Sequence, residues 1–258
     1  MFGQGGRMAF YHFLAIFPGL LMLDMAAKHV SGITPEVQQS LVQAAGKLLP
    51  RDIVQTVNSV VADFDKVQLP GWRFLTTVAG VLWAGCNGTW AMIYGLNTAY
   101  EVKECRNWRQ LAVTIGGLTL ALIFITTFAL GIVALGATLR SRVHAHIPLG
   151  FIESVVLIIV LLFWFSMLYR FAPSLQNRRW QWSTPGALLA AALWVGAALA
   201  GRVYFEHIDD YHVSFGRLKG VAMLLLWLYV TNGAILIGGE MNSEIEKSAD
   251  NRRSSSAH

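Results

Sequence analysis

The residues that could do chemistry in this sequence are histidines and carboxylates in two short segments. His144 and His146 have the spacing of two metal ligands. A nuclease of the metallo-β-lactamase type would continue as His-x-His-x-Asp-His, but Pro148 and Leu149 occupy the last two positions of that pattern here. We therefore interpret this pair as interfacial histidines at the edge of an apolar segment.

A second cluster consists of His207, Asp209, Asp210 and His212. Imidazole and carboxylate groups are suitable ligands for a divalent cation, and histidines in such a loop could also sense pH. A solvated acidic loop would contain the same residue types. The sequence therefore predicts no firm metal site and leaves these residues as the candidates.

Uncharged polar residues lie inside two apolar blocks. Asn87, Thr89 and Asn97 fall in one block, and Thr231 and Asn232 fall in another. Amide and hydroxyl groups at such positions form hydrogen bonds between helices, each contributing about 1 kcal/mol. These residues either hold helices together or line a polar passage, and the sequence leaves both functions open.

Two charged residues lie near the ends of apolar blocks. Arg202 is about one turn inside its block, so its side chain either extends to the interface or points into a bundle interior. Glu240 follows Gly238 and Gly239, which indicates close packing or a helix end. Both residues are candidates for a polar pathway or for helix packing.

The elements that must position these residues are long apolar blocks. Hydrophobic residues make up 55% of the 258 residues and charged residues only 14%, where a soluble domain carries about 25% charged residues. Backbone groups in lipid must be satisfied within their own segment, so such blocks form helices. We predict an all-α polytopic membrane protein with six transmembrane helices. The predicted spans are about 8–25, 74–98, 111–136, 151–171, 185–205 and 219–239.

The connection between the first two spans has a different pattern. Apolar residues recur at helical spacing on both sides of Pro50, which predicts an external amphipathic helical pair over 34–65. The pair either packs on the spans or lies on the lipid surface. We assign 1–247 to a single transmembrane domain and predict a disordered cytoplasmic tail over 248–258, because that segment is polar.

The net charge of +5 does not indicate a nucleic-acid partner, because the basic residues form no continuous patch. They lie between the apolar blocks, and short loops on one side are dense in them. These residues are Lys103, Arg106, Arg109, Arg178 and Arg179. By the positive-inside rule, both termini are predicted to be cytoplasmic.

Several stretches in order resemble the YihY/BrkB family of bacterial inner-membrane proteins. They are Ala9-Phe10-Tyr11 with Phe17-Pro18, Tyr169-Arg170-Phe171-Ala172-Pro173, Pro185-Gly186-Ala187 with Trp194 and Tyr204, Leu226-Trp227-Leu228-Tyr229, and Gly238-Gly239-Glu240-Met241-Asn242. The family usually has a longer segment before the first span than the residues that precede Met8. Its usual Tyr-Gly near the sixth span reads Phe215-Gly216 here.

The resemblance implies several functions, because the family has been labelled ribonuclease BN, linked to virulence through serum resistance, and associated with envelope lipid transport. The sequence contains no catalytic triad, phosphate loop or dinucleotide fingerprint, so we predict no enzyme and no cofactor. Our leading hypothesis is a transporter or translocation factor for a lipid or another amphiphile. The alternatives are a non-transporting envelope scaffold or virulence-associated protein and, least favoured, a ribonuclease. The expected partners are membrane lipids, and a homo-oligomer is left open.

Overall fold

The computed structural model describes residues 2–29, 55, 59, 71–142, 149–175, 185–207 and 218–256. Those residues form α-helices with short connections and no strand, which confirms the all-α prediction. The helices are α1 (Phe2–His29), α2 (Gly71–Ala99), α3 (Trp108–Arg142), α4 (Leu149–Phe171), α5 (Pro185–His207) and α6 (Leu218–Ser256). The external helical pair predicted over 34–65 lies outside the described residues, apart from two isolated positions.

Within the described part of the chain, 3 helices are long and apolar enough to cross a membrane. Their apolar segments are Trp108–Val133, Gly150–Phe171 and Gly220–Ala249, and a shorter apolar helix covers Pro185–Gly201. A helix rises about 1.5 Å per residue, so roughly 20 residues cross a hydrocarbon core of about 30 Å. Length and composition therefore give these helices the properties of membrane spans.

Large apolar side chains point outward from the bundle. Val113 is 74% exposed, and Phe124 and Phe151 are each 70% exposed. A water-soluble protein rarely leaves so many large apolar groups exposed together, because exposed apolar surface favours association. The exposure of these side chains is what a hydrocarbon environment allows.

Small residues form much of the helix contact surface inside the bundle. Ala91, Ala187 and Ala190 are almost completely buried, as are the larger Leu96 and Leu168. Small side chains let helix axes approach closely, and in lipid such packing replaces the hydrophobic effect as a source of helix association. α1 packs on α2 and α6, α5 packs on α6, and α3 packs on α2 and α4.

The order of contacts fixes the relative directions of two helix pairs. Met8 lies against Gly95 and His12 lies against Gly88, so α1 and α2 run in opposite directions. Leu96 lies against Gly239, and further along both helices Glu101 pairs with Lys247, so α2 and α6 run in the same direction. The C-terminal ends of α2 and α4, the start of α5 and the middle of α6 meet at one end of the bundle.

The C-terminal segment differs from its prediction. We predicted a disordered tail over 248–258, whereas α6 continues as a helix through Ser256. Lys247 bonds Glu244 one turn earlier at 3.1 Å and Glu101 at the end of α2 at 3.0 Å. Charged pairs at helical spacing support a polar helix beyond the apolar part of a span, and polarity alone did not reveal this continuation.

Candidate functional site

Asn232 lies at the centre of the bundle on α6 and is completely buried. Its Nδ2 atom donates to the Leu228 carbonyl oxygen at 2.8 Å, one turn earlier in the same helix. Its Oδ1 atom accepts no hydrogen bond of normal geometry within the described residues, and the same holds for Thr231 Oγ1. Buried polar atoms are normally satisfied, so two neighbouring positions on α6 have unused hydrogen-bonding capacity.

The His12 imidazole of α1 faces the side chain of Asn232. α2 approaches the same ring at Gly88, where a Cβ atom would lie 3.0 Å from His12 Cδ2 and 3.3 Å from Nε2. The absence of a side chain at Gly88 thus lets three helices meet around one imidazole. The ring lies deep in the bundle, surrounded by protein atoms. His12 as a whole residue is half-buried, so a small part of its surface stays exposed.

His12 was not among the residues that we predicted for the site. A signal for it was present, because His12 is a histidine inside the first apolar block, Met8 to Leu23. Ionisable residues within membrane spans are rare and commonly functional. Residue spacing in the sequence does not reveal the contact of His12 with Asn232, because the two residues lie more than two hundred positions apart.

Thr89 on α2 and Thr119 on α3 form a buried hydrogen bond between their Oγ1 atoms, 2.8 Å apart. Each hydroxyl supplies the partner that the other needs in a water-free interior. This pair therefore joins two helices, which is one of the two functions that the sequence left open for Thr89.

Asn87 is half-buried on α2, and its Nδ2 atom donates to the Trp83 carbonyl oxygen at 2.7 Å. The acceptor is one turn earlier on the same helix. The described hydrogen bond of Asn87 therefore satisfies its amide locally rather than across helices.

Asn97 lies near the C-terminal end of α2 and joins three segments. Its Nδ2 atom donates to Glu104 Oε2 at 2.9 Å, and its Oδ1 atom accepts from the Ser174 backbone N–H at 2.8 Å. The Ser174 hydroxyl oxygen accepts in turn from the Cys105 N–H at 3.2 Å. Asn97 thus connects the end of α2 to the loop after it and to the segment after α4.

Arg106 closes the same end of the bundle. Its Nε and Nη2 atoms each lie 2.7 Å from a carboxylate oxygen of Glu104, and the Arg106 side chain is only 10% exposed. The guanidinium also donates to the carbonyl oxygens of Ala172 at 2.8 Å and Phe171 at 3.3 Å. The last carbonyls of a helix lack partners within it and attract cations, so Arg106 completes the end of α4.

Electrostatics follow from this geometry. The hydrogen bonds from the Arg106 side chain lower the pKa of Glu104 from 4.5 to about 2, against the opposing effect of its partial burial. Charge-assisted bidentate pairs of this kind are among the stronger polar contacts in proteins. We did not predict the pair as a site, because its other partners are backbone atoms from a distant part of the chain.

The residues that carry the family resemblance meet at this end of the bundle. Gly186 on α5 and Gly238 on α6 are in backbone contact, and a Cβ on either would collide with the other helix. The Gly186 N–H donates to Asn242 Oδ1 at 2.8 Å, and the Tyr169 hydroxyl donates to the Ile235 carbonyl oxygen at 2.8 Å. We call the contacts made by Asn97, Arg106, Gly186 and Gly238 the helix-end junction.

The other predicted residues are not brought together. Glu240 is exposed on α6, next to the junction in sequence. Arg202 and His207 lie in α5, and nothing is described of their side chains, while Asp209, Asp210 and His212 lie outside the described residues. No group of three possible metal-ligating His, Cys, Asp or Glu residues occurs in the described part of the chain. The metal candidates therefore stay predictions.

Comparisons with known proteins identify relatives along the whole chain. The family described as Virulence factor BrkB matches residues 2–258. A ribonuclease-like protein named YfkH from Bacillus subtilis is 26% identical over 257 residues, which cover 95% of this chain and 90% of the relative. A UPF0761 membrane protein from Idiomarina loihiensis is 25% identical over 221 residues, covering 82% of this chain and 74% of the relative.

A shorter match reaches a UPF0761 membrane protein from Tolumonas auensis, 33% identical over 79 residues, which cover 31% of this chain and 26% of the relative. No solved structure matches the chain. The family match spans the helices that contribute to the helix-end junction and to the polar centre formed by His12, Thr231 and Asn232. It confirms the resemblance inferred from the motifs. This chain belongs to the Virulence factor BrkB family and is a membrane protein.

Proposed function

We propose that this protein crosses the bacterial inner membrane six times, with both termini in the cytoplasm, and moves a lipid or another amphiphilic envelope component. The observation that carries the proposal is that Asn232 Oδ1 and Thr231 Oγ1, buried in the apolar part of α6, have no hydrogen bond of normal geometry within the described residues. An amphiphile needs polar partners for its headgroup inside the membrane and an apolar environment for its chains.

Gln4 Oε1 and Asn242 Nδ2 also lack a hydrogen bond of normal geometry within the described residues, whereas Thr231 and Asn232 carry two such oxygens on adjacent residues of α6. An unsatisfied polar group in hydrocarbon costs several kcal/mol, and the Thr89–Thr119 pair is an example of two buried hydroxyls that satisfy each other. Thr231 Oγ1 and Asn232 Oδ1 instead have no hydrogen bond of normal geometry within the described residues, although the Asn232 side chain lies beside the His12 imidazole. A substrate headgroup, or water that accompanies it, supplies a partner for these oxygens in our proposal.

The helix-end junction gives the polar centre a closed side. The contacts of Asn97 with Ser174, of Arg106 with Ala172 and of Gly186 with Gly238 all lie at the same end of the bundle. In the proposed topology this end faces the cytoplasm, because the loop after α2 contains Lys103, Arg106 and Arg109. A transporter has to open one side at a time, and a tightly packed end is compatible with a state that is closed toward the cytoplasm.

The proposal is tested with purified protein in vesicles of phosphatidylethanolamine and phosphatidylglycerol that contain a trace of NBD-labelled phosphatidylglycerol. Dithionite, which does not cross the bilayer, bleaches only outer-leaflet label unless the protein moves lipid between leaflets. We expect bleaching beyond the outer leaflet with the unmodified protein, loss of that extra bleaching with Asn232→Leu, and retention with the control Thr89→Val. Bleaching equal to that of protein-free vesicles, or an unaffected Asn232→Leu variant, would contradict the proposal.

We also propose that the protein is not a ribonuclease, although one relative has a ribonuclease-like name. Support comes from the sequence, in which Pro148 and Leu149 occupy positions where a metallo-β-lactamase-type nuclease needs Asp and His. Purified protein incubated with a transfer-RNA precursor and Mg²⁺, Mn²⁺ or Zn²⁺ should leave the RNA intact. Metal-dependent cleavage that is lost on substituting His144 would overturn this conclusion.

A further inference from the structure

We infer that His12 binds a proton together with the anionic headgroup of the transported amphiphile, so that the protein takes up both from the same side. The inference rests on the proposed function. It adds the proton as the coupling ion of transport and an anionic amphiphile as the substrate class. It is carried by the position of the His12 imidazole between Gly88 of α2 and the buried Asn232 of α6.

The His12 imidazole and the Asn232 side chain lie next to each other inside the bundle. A neutral imidazole has one N–H donor, whereas a protonated imidazole has two. The fully buried Asn232 side chain is within hydrogen-bonding reach of the His12 ring, although its Oδ1 makes no hydrogen bond of normal geometry within the described residues. Protonation of His12 creates a second N–H donor beside Asn232, and an oxygen of the headgroup can accept from it.

The charge balance around the imidazole depends on the groups that face it. From α6 the group that faces His12 is the uncharged amide of Asn232, and from α2 it is the backbone at Gly88. On α1 itself the ionisable neighbours are Tyr11 and Arg7, and Arg7 stacks on Trp90 of α2 with its Cζ atom 4.6 Å from the ring centroid. No carboxylate interacts with His12 among the described residues.

An imidazolium at this depth therefore needs a negative partner from elsewhere. A charge without a counter-ion is strongly disfavoured in hydrocarbon, and the phosphate of an anionic lipid is such a counter-ion. Proton and headgroup then stabilise each other, because each lowers the energetic cost of bringing the other into the membrane. The proton is released when the anion leaves on the other side, so His12 returns to its neutral form without any other chemical change.

The inference is tested in the same vesicles by comparing NBD-labelled phosphatidylglycerol, which is anionic, with NBD-labelled phosphatidylcholine, which is zwitterionic. We expect faster movement of phosphatidylglycerol than of phosphatidylcholine, and faster movement at pH 5 than at pH 8. Pyranine trapped in the vesicles should report proton influx that depends on the protein and on phosphatidylglycerol.

His12→Gln should lose the pH dependence and the proton influx. His29→Gln, at the far end of the same helix, should keep both. Asn232→Asp supplies a carboxylate beside the imidazole and should shift the midpoint of the pH dependence upward by about 1 unit or more, as an opposite charge at this distance does. A residue that only holds the fold together would not produce such a shift.

The outcomes separate this inference from the proposed function. Lipid movement that is unaffected by pH and by His12→Gln would overturn proton binding at His12 and leave transport in place. Equal movement of the two lipids would overturn the anionic substrate class. Absence of any protein-dependent lipid movement would refute the proposed function, and the inference with it.

Discussion

Gly186 on α5 and Gly238 on α6 approach so closely that neither position has room for a Cβ atom. The contact is fixed on one side by the hydrogen bond from the Gly186 N–H to Asn242 Oδ1 at 2.8 Å. On the other side lies the hydroxyl of Tyr169 from α4, next to Gly238. Residues from three of the motifs that define the family resemblance therefore act together in a single packing contact.

We predict that Gly238→Ala destabilises the protein, because the added methyl group would collide with Gly186 and with the Tyr169 hydroxyl. Overpacking of this kind typically costs about 1–3 kcal/mol. Gly196→Ala on α5 is the matched control, because a methyl group added there would have no other atom within 4 Å. Thermal unfolding in detergent should show a lower midpoint for Gly238→Ala and no decrease for Gly196→Ala. Equal midpoints for the two variants would mean that the close contact does not exist.

The ion pair between Glu104 and Arg106 should make stability depend on pH in the acid range. Hydrogen bonds from Arg106 lower the pKa of Glu104 from 4.5 to about 2. A group whose folded pKa is lowered adds stability above its unfolded pKa and loses that contribution as the pH falls through the folded pKa. We expect this part of the stability to be complete above about pH 5 and to disappear between about pH 4.5 and 2.

Unfolding midpoints of the unmodified protein and of Glu104→Gln should therefore converge as the pH falls through that window. Arg106→Lys should also lower the midpoint at neutral pH, since one ammonium cannot reproduce the contacts with both carboxylate oxygens and with the carbonyls of Phe171 and Ala172. Arg109 is exposed and stacks near Trp108, so Arg109→Lys serves as the control. A pH-independent difference between Glu104→Gln and the unmodified protein would contradict this account of the pair.

The buried pair of Thr89 and Thr119 should show coupling in a double-mutant cycle. Hydrogen bonds between membrane helices average about 0.6 kcal/mol in such cycles. Thr89→Val and Thr119→Val should each destabilise the protein, and the double variant should lose less than the sum of the two, because the second change removes a group that already lacks its partner. Strictly additive losses would show that the two hydroxyls do not interact.

The all-α class and the apolar helices α3 and α4 followed from the sequence, whereas the contacts between helices did not. Charge-free blocks located α3 and α4, because hydrocarbon tolerates mainly apolar residues. This requirement applies to each residue on its own, so it can be recognised in the sequence without knowing which helices are in contact. Asn97 was predicted to lie in a span as a pathway or packing residue, and the structure places it at the helix-end junction with Glu104 and Ser174. Its partners come from two other segments, and no local pattern encodes their proximity.

Other features were missed for related reasons. Arg106 was counted only as a loop charge, because its carbonyl partners at the end of α4 carry no side-chain signal. His12 was not predicted, because its contact with Asn232 of α6 joins distant parts of the chain that no local pattern brings together. The continuation of α6 to Ser256 was not predicted, because the segment after Lys247 is polar and was assigned to a tail on that ground alone.

The proposed transport and the proton site both require that these helices cross a membrane with the helix-end junction on the cytoplasmic side. Cys105 tests this topology directly, because this native cysteine is exposed at the junction, whereas Cys86 is half-buried within α2. We predict that a membrane-impermeant maleimide labels Cys105 in inverted inner-membrane vesicles and not in intact spheroplasts, with labelling lost in Cys105→Ser and kept in Cys86→Ser. Labelling of Cys105 in intact spheroplasts, or recovery of the protein in the soluble fraction, would contradict this topology.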